Sequence, residues 1–195
     1  MKPPAWRPTH QAALGLGLIA LLASPGARHW LEASMWRHML LQFSLWMLAG
    51  ALLAAALSPR TRRCIASWNA HGITGFLAVG VTLSVLMVPR VLDLALRDAS
   101  VEIAKCATLL LAGAALRLSW QPAGLVVQSF FLGTLLPMMV VVGQLYIDSP
   151  LRLCNAYLLD DQERLGRWLI GLAGLLAMTW LVHAAWRLVR REVAQ

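Results

Sequence analysis

Apolar positions along the chain fall into six long runs instead of the narrow stripe of a helix packed on a water-soluble core. The runs cover roughly His10–Ser24, Met39–Leu57, Trp68–Val88, Val101–Trp120, Pro122–Ile147 and Arg167–Trp186. A helix rises 1.5 Å per residue, so about 20 apolar residues cross a hydrocarbon core of about 30 Å. Most of the runs meet that length. The pattern therefore predicts an all-α fold, a polytopic transmembrane helical bundle of about six spans. The first run is short, and "MKPPAWRPTHQAALGLGLIALLASPGA" has the basic start, compact apolar centre and small residues of a signal peptide. We read it as an uncleaved anchor; cleavage would leave five spans in the same orientation.

Between the spans, Pro89–Glu102 interleaves apolar residues with charges. Arg90 and Asp93 are three apart and Asp93 and Arg97 four apart, so they are placed to pair along one face of a short interfacial helix. A second long connection, Asp148–Arg167, holds the densest cluster of acids. Gly72, Gly75, Gly80, Gly113, Gly171 and Gly174 lie within or at the ends of the runs, and small residues let membrane helices pack closely.

Composition agrees. The 195 residues are 59% hydrophobic and 13% charged, about half the charged share of a soluble domain. There is room for one integral membrane domain, residues 1–195, and no separate soluble one. The net charge of +8 resembles a nucleic-acid signal until the charges are placed along the chain. Lys2, Arg7, Arg60, Arg62, Arg63, Arg117, Arg187, Arg190 and Arg191 then fall on one side, with Glu192 as the single acid there. The other eight acids fall opposite, balanced by eight basic residues. Positive loops stay inside, so both termini are expected in the cytoplasm of a bacterial inner membrane, with no nucleic-acid partner.

That orientation puts "ASMWRHMLLQF", Ala33–Phe43, at the outer end of the second span. Met35, His38 and Met39 share helical neighbourhood there, and Met87 and Cys106 come to a comparable depth on the third and fourth spans. Thioether, thiol and imidazole together suit Cu(I). The competing reading is that methionine fills core gaps and a boundary histidine only anchors. His71 and His183, near the inner ends of spans three and six, form the one pair at the right depth for haem b, which we do not favour. Lys105 is an ionisable group inside span four. It lies about a turn from the boundary, so it is expected to snorkel outward or to pair with Glu102. Only Cys106 and Cys154 share a side, and a disulfide between them would need Cys106 to reach out of the membrane. There is no Gly-rich phosphate loop, H-E-x-x-H or G-x-S-x-G, so an enzyme is not expected.

Two segments carry a resemblance. Arg37–Pro59, "RHMLLQFSLWMLAGALLAAALSP", resembles the histidine-led span of the CtaG family of cytochrome c oxidase assembly factors, and Asp160–Leu172, "DDQERLGRWLIGL", resembles its D-Q-x-x-x-G entry to a late span. Together they cover roughly a fifth of the chain. The chain departs from that family at Ser34, where another histidine is usual, and in having one span fewer. The resemblance implies an inner-membrane protein assisting copper delivery or assembly of a respiratory oxidase. His38 matches the family histidine, and Asp161, Gln162 and Gly166 match the late motif. We expect transient Cu(I) holding by His38 with Met35 or Met39 and Met87 or Cys106, and docking of a respiratory-chain membrane protein at Asp160, Asp161 and Gln162. The alternative is an accessory subunit of a membrane respiratory or redox complex that binds no metal. A small transporter would need a polar path at mid-membrane, where little beyond Ser44, Gln128 and Thr134 is present.

Overall fold

The computed structural model describes residues 7–193; Lys2 lies outside that range, and the side chains of Arg191 and Glu192 are likewise outside the description. The described residues form helices α1 (Pro8–Ala23), α2 (Pro25–Glu32), α3 (Phe43–Leu53), α4 (Pro59–Trp68), α5 (Ile73–Leu86), α6 (Pro89–Arg97), α7 (Ala99–Trp120), α8 (Gly124–Asp148) and α9 (Leu159–Val193). A π-helical stretch, Arg37–Gln42, runs directly into α3, and a 3-10 turn, Ala54–Ala56, ends it. There are no strands among the described residues.

The starts of these helices follow from local chemistry. Proline occupies the first turn of α1, α2, α4 and α6, where its missing N–H and fixed φ cost nothing. Ser58 caps α4 by accepting from Thr61 N at 3.1 Å, and Asp98 caps α7 by accepting from Ser100 N at 2.7 Å.

Four helices are long and apolar enough to span a membrane: Arg37–Ala56, Ala99–Trp120, Gly124–Asp148 and Leu159–Arg190. Two further candidates are bent pairs, α1 with α2 at 71° and α4 with α5 at 83°. The described residues thus hold four to six candidate spans, as expected of a multi-pass membrane protein. The expected third span, Trp68–Val88, is shorter than its apolar run, because Asn69–Gly72 form a turn and α5 holds only 14 residues. Gly72 makes that turn in the left-handed region at φ 73°, with its Cα packed near the Ser119 carbonyl and Ala123. The expected last span begins earlier than Arg167, since Asp160 and Asp161 already lie in the first turn of α9.

α3 packs on α7, with α1 against α3 and α5 against α7, and α8 packs on α9. Gly50 and Gly113 bring α3 and α7 so close that a Cβ on either would run into the carbonyl of Leu110 or Met47. Gly143 and Gly166 do the same for α8 and α9. Gly80, Gly171 and Gly174, expected as contact positions with them, face open space. Between α5 and α8 runs an apolar groove of about 640 Å³ lined by residues such as Phe76, Val81, Phe130 and Met138.

Polar contacts gather at the two ends of the bundle. At one, Arg62 Nη2 donates to the carbonyls of Ala54 at 3.0 Å and Ala55 at 2.7 Å, and Arg117 Nη1 donates to that of Ala51 at 3.0 Å. These arginines satisfy carbonyls left free where α3 ends. The other end carries His38.

Candidate functional site: a buried Lys–His–Tyr relay beneath a polar cleft

The site begins with the link between α2 and the π stretch. The Asp161 carboxylate, in the first turn of α9, accepts from Ser34 Oγ at 2.7 Å and from Met35 N at 2.6 Å. Those bonds hold residues 34–35 against α9 just before the π stretch, which carries His38 into the bundle with no exposed surface. π-helical turns inside longer helices often mark functional positions.

Lys105 meets His38 from α7. Its Nζ lies 2.7 Å from His38 Nε2, 3.1 Å from Gln42 Oε1 and 2.7 Å from Glu102 Oε2. Of the three protons of an ammonium group, His38 Nε2 and Gln42 Oε1 take two, and Glu102 supplies the counter-charge. The contact with Glu102 Oε2 is an ion pair without an aligned hydrogen bond, while Glu102 Oε1 accepts from Cys106 Sγ at 3.5 Å. On the far side of the imidazole, His38 Nδ1 lies 2.8 Å from the Tyr157 hydroxyl, which donates to the Glu32 carbonyl at 2.9 Å. The network assigns the tautomer. Lys105 donates to Nε2, so Nδ1 carries the ring proton and donates to Tyr157, whose own proton goes to Glu32. Donors and acceptors run in one direction from the buried ion pair to the end of the bundle.

Of the two courses expected for Lys105, the structure shows the pairing with Glu102 and not the outward snorkel, since Lys105 is 2% exposed. A charge buried at this depth stays charged only with a counter-ion and hydrogen bonds, and Glu102, His38 and Gln42 supply both.

The loop after α8 is pinned over this cluster. Asp93 accepts from Asn155 N at 2.9 Å, Asn155 Nδ2 at 3.1 Å and Ala156 N at 3.2 Å. It does this in place of the expected pairing with Arg90 and Arg97, because α6 turns it inward, where it is 8% exposed. Gln162 accepts from Leu153 N at 2.8 Å and donates to the carbonyls of Tyr146 at 3.1 Å and Leu151 at 3.4 Å. Cys154 is buried and its thiol donates to the Pro89 carbonyl at 3.6 Å. Burial first, and the charge of Asp93 second, push that thiol up to about 12 from 9.0. Burial likewise pushes the Tyr157 phenol upward, keeping it a neutral donor.

The expected soft ligands all belong to, or pack against, the one extended hydrophobic core. Met35 and Met39 are buried in the core, and Met87 and Cys106 pack against the same cluster. All three cysteines are free. The arrangement does not fit a cation at His38, because both ring nitrogens are engaged and an ammonium stands 2.7 Å from one of them. Among the described residues no group of three or more His, Cys, Asp or Glu side chains gathers as an ion site. Met87 contributes through its backbone, accepting from the Tyr146 hydroxyl at 3.1 Å. His71 sits exposed in the α4–α5 turn and not on a span, while His183 is on α9, whose main partner is α8. Facing helices do not present them as a haem pair.

Of the expected docking residues, Gln162 is 1% exposed and wholly committed inside, and Asp161 is spent on the 34–35 link. Asp160 alone is exposed. It lies on a cleft of about 560 Å³ lined by Trp30, Trp36, Arg37, Tyr157, Asp160 and Arg164, among others. Tyr157 is thus both a wall of the cleft and the last side chain of the relay.

Gln42 was legible as a neighbour of His38 four residues on. Tyr157 had no sequence signal, since the loop's tertiary path brings it 119 positions back to His38. Comparison with protein-family models, with curated proteins and with solved structures finds no match to this chain.

Proposed function

We propose that the chain is a non-enzymatic protein of a bacterial inner membrane that accompanies or helps assemble a respiratory oxidase through contacts with a partner, without holding copper at His38. Both termini are cytoplasmic in this reading, and the His38 end faces outward. The resemblance of Arg37–Pro59 and Asp160–Leu172 to CtaG-type assembly factors supports the respiratory connection. One observation favours the form of that reading in which no metal is held. The imidazole that would have to bind the ion is consumed by Lys105 at 2.7 Å and Tyr157 at 2.8 Å. Copper delivery would require His38 to release one of them and expose a lone pair beside a cation, which ligand electrostatics disfavours.

Membranes of cells lacking the chain should contain less spectroscopically assembled haem–copper oxidase, restored by the wild-type gene. Unchanged oxidase content would remove the respiratory reading. Purified protein loaded with Cu(I) should hold equal, background copper in wild type and His38→Ala. Stoichiometric copper that disappears in His38→Ala would overturn the contact reading in favour of delivery.

A further inference from the structure

The cleft above Tyr157 has charges that the chain itself does not use. Arg28 pairs with Glu32, Lys105 with Glu102 and Arg167 with Glu163, whereas Arg37, Asp160 and Arg164 make no ion pair with any described residue. Arg37 lies instead over the Trp30 ring, 4.7 Å from its centroid. The carboxylate of Asp161 is occupied, so the cleft offers two guanidinium groups and one free carboxylate.

Its depth is marked independently. The cleft lies where the spans Arg37–Ala56 and Leu159–Arg190 begin. Trp36 and Trp168 stack beside it with centroids 6.1 Å apart, and Trp30 and Trp168 are 56% and 55% exposed. Tryptophans concentrate at the headgroup level of a bilayer. Leu158, also lining the cleft, is 69% exposed and offers an apolar seat at its mouth.

We propose that this cleft binds the phosphoethanolamine headgroup of a membrane phospholipid. The guanidinium forks of Arg37 and Arg164 match the phosphodiester oxygens, and Asp160 takes the primary ammonium. Choline fits less well: a quaternary ammonium has no N–H for Asp160 and prefers an aromatic face, and that of Trp30 is occupied by Arg37. A phosphoglycerol headgroup offers no cation, so Asp160 would stand unpaired beside a phosphate. The assignment stands apart from the respiratory reading and survives or fails without it.

The test is calorimetric titration of the full chain in a non-ionic detergent with short-chain phosphatidylethanolamine, phosphatidylcholine and phosphatidylglycerol, and with soluble glycerophosphoethanolamine. The ethanolamine lipid should bind about tenfold more tightly than the other two, the worth of one charge-assisted hydrogen bond. Arg164→Gln and Arg37→Gln should each weaken it by a similar factor with unchanged thermal unfolding. Asp160→Asn should abolish the preference over phosphatidylglycerol, and Arg190→Gln, on Trp186 far along α9, should change nothing. Equal affinity for the three lipids, or a preference that survives Asp160→Asn, overturns the proposal. Soluble headgroup binding as tightly as the lipid overturns the membrane source and leaves a small zwitterion as the ligand.

Discussion

Lys105 is surrounded by groups that make sense only if its charge is kept. Removing it would strand Glu102, which is 6% exposed and makes no other ion pair among the described residues. Lys105→Met should therefore destabilise the protein by about 3–5 kcal/mol, the usual result of breaking one half of a buried pair. Lys105→Met with Glu102→Gln should recover much of that loss, because the stranded charge goes too. Reversible unfolding in mixed detergent measures both, and a single variant as stable as the double one would refute the coupling. Tyr157→Phe removes the hydroxyl between His38 and the Glu32 carbonyl and should cost about 1–3 kcal/mol. Cys154 gives a pH dependence. Its folded pKa is raised from 9.0 to about 12, so the neutral thiol's stabilisation is complete below pH 9 and is lost as pH rises through 12. At pH 8 an alkylating reagent should reach exposed Cys64 quickly and Cys154 only on unfolding; faster labelling of Cys154 would contradict its burial.

Among the helices, the α3–α7 contact sets the position of the relay, since His38 and Gln42 precede α3 and Lys105 is on α7. Gly50 and Gly113 hold that contact at backbone distance. Gly113→Ala should force the helices apart and cost about 1–3 kcal/mol. Gly171→Ala, whose added Cβ meets nothing within 4 Å, should be neutral or stabilising by about 0.5–1 kcal/mol through helix propensity. Thermal unfolding of the two in the same detergent separates them, and equal effects would mean that the approach of α3 to α7 is not what Gly113 provides. Which glycines make contacts was not legible in the sequence. Gly113 and Gly171 look alike in an apolar run, and only the neighbouring helix distinguishes them. The short helix at Pro89–Arg97 was legible, because proline starts it and its charges recur at helical spacing. The inward turn of Asp93 was not, since the partners it chose are in a loop some sixty positions later.

For the whole molecule, the expected orientation is testable with cysteines, though Cys154 is a poor reporter because it is buried. In a Cys154→Ser background, Leu151→Cys, at a side chain 72% exposed, should label from outside intact cells. Cys64 should label only after permeabilisation. The opposite pattern would reverse the topology and place the cleft and the relay on the cytoplasmic side.

The sequence by itself determined the helical class, the membrane setting and the presence of His38 and Lys105 near one end of their spans. Those properties follow from local quantities: runs of apolar residues, prolines and caps, and the spacing of charges. The tertiary structure decided that Lys105 turns inward, that Tyr157 closes the relay, that Asp161 and Gln162 serve the fold, and that Arg37, Asp160 and Arg164 share one cleft. Each of these depends on which helix ends meet, and hydropathy cannot specify that: lipid is as apolar as a neighbouring helix. What selects the arrangement is the satisfaction of a few polar groups in a medium that offers them no water.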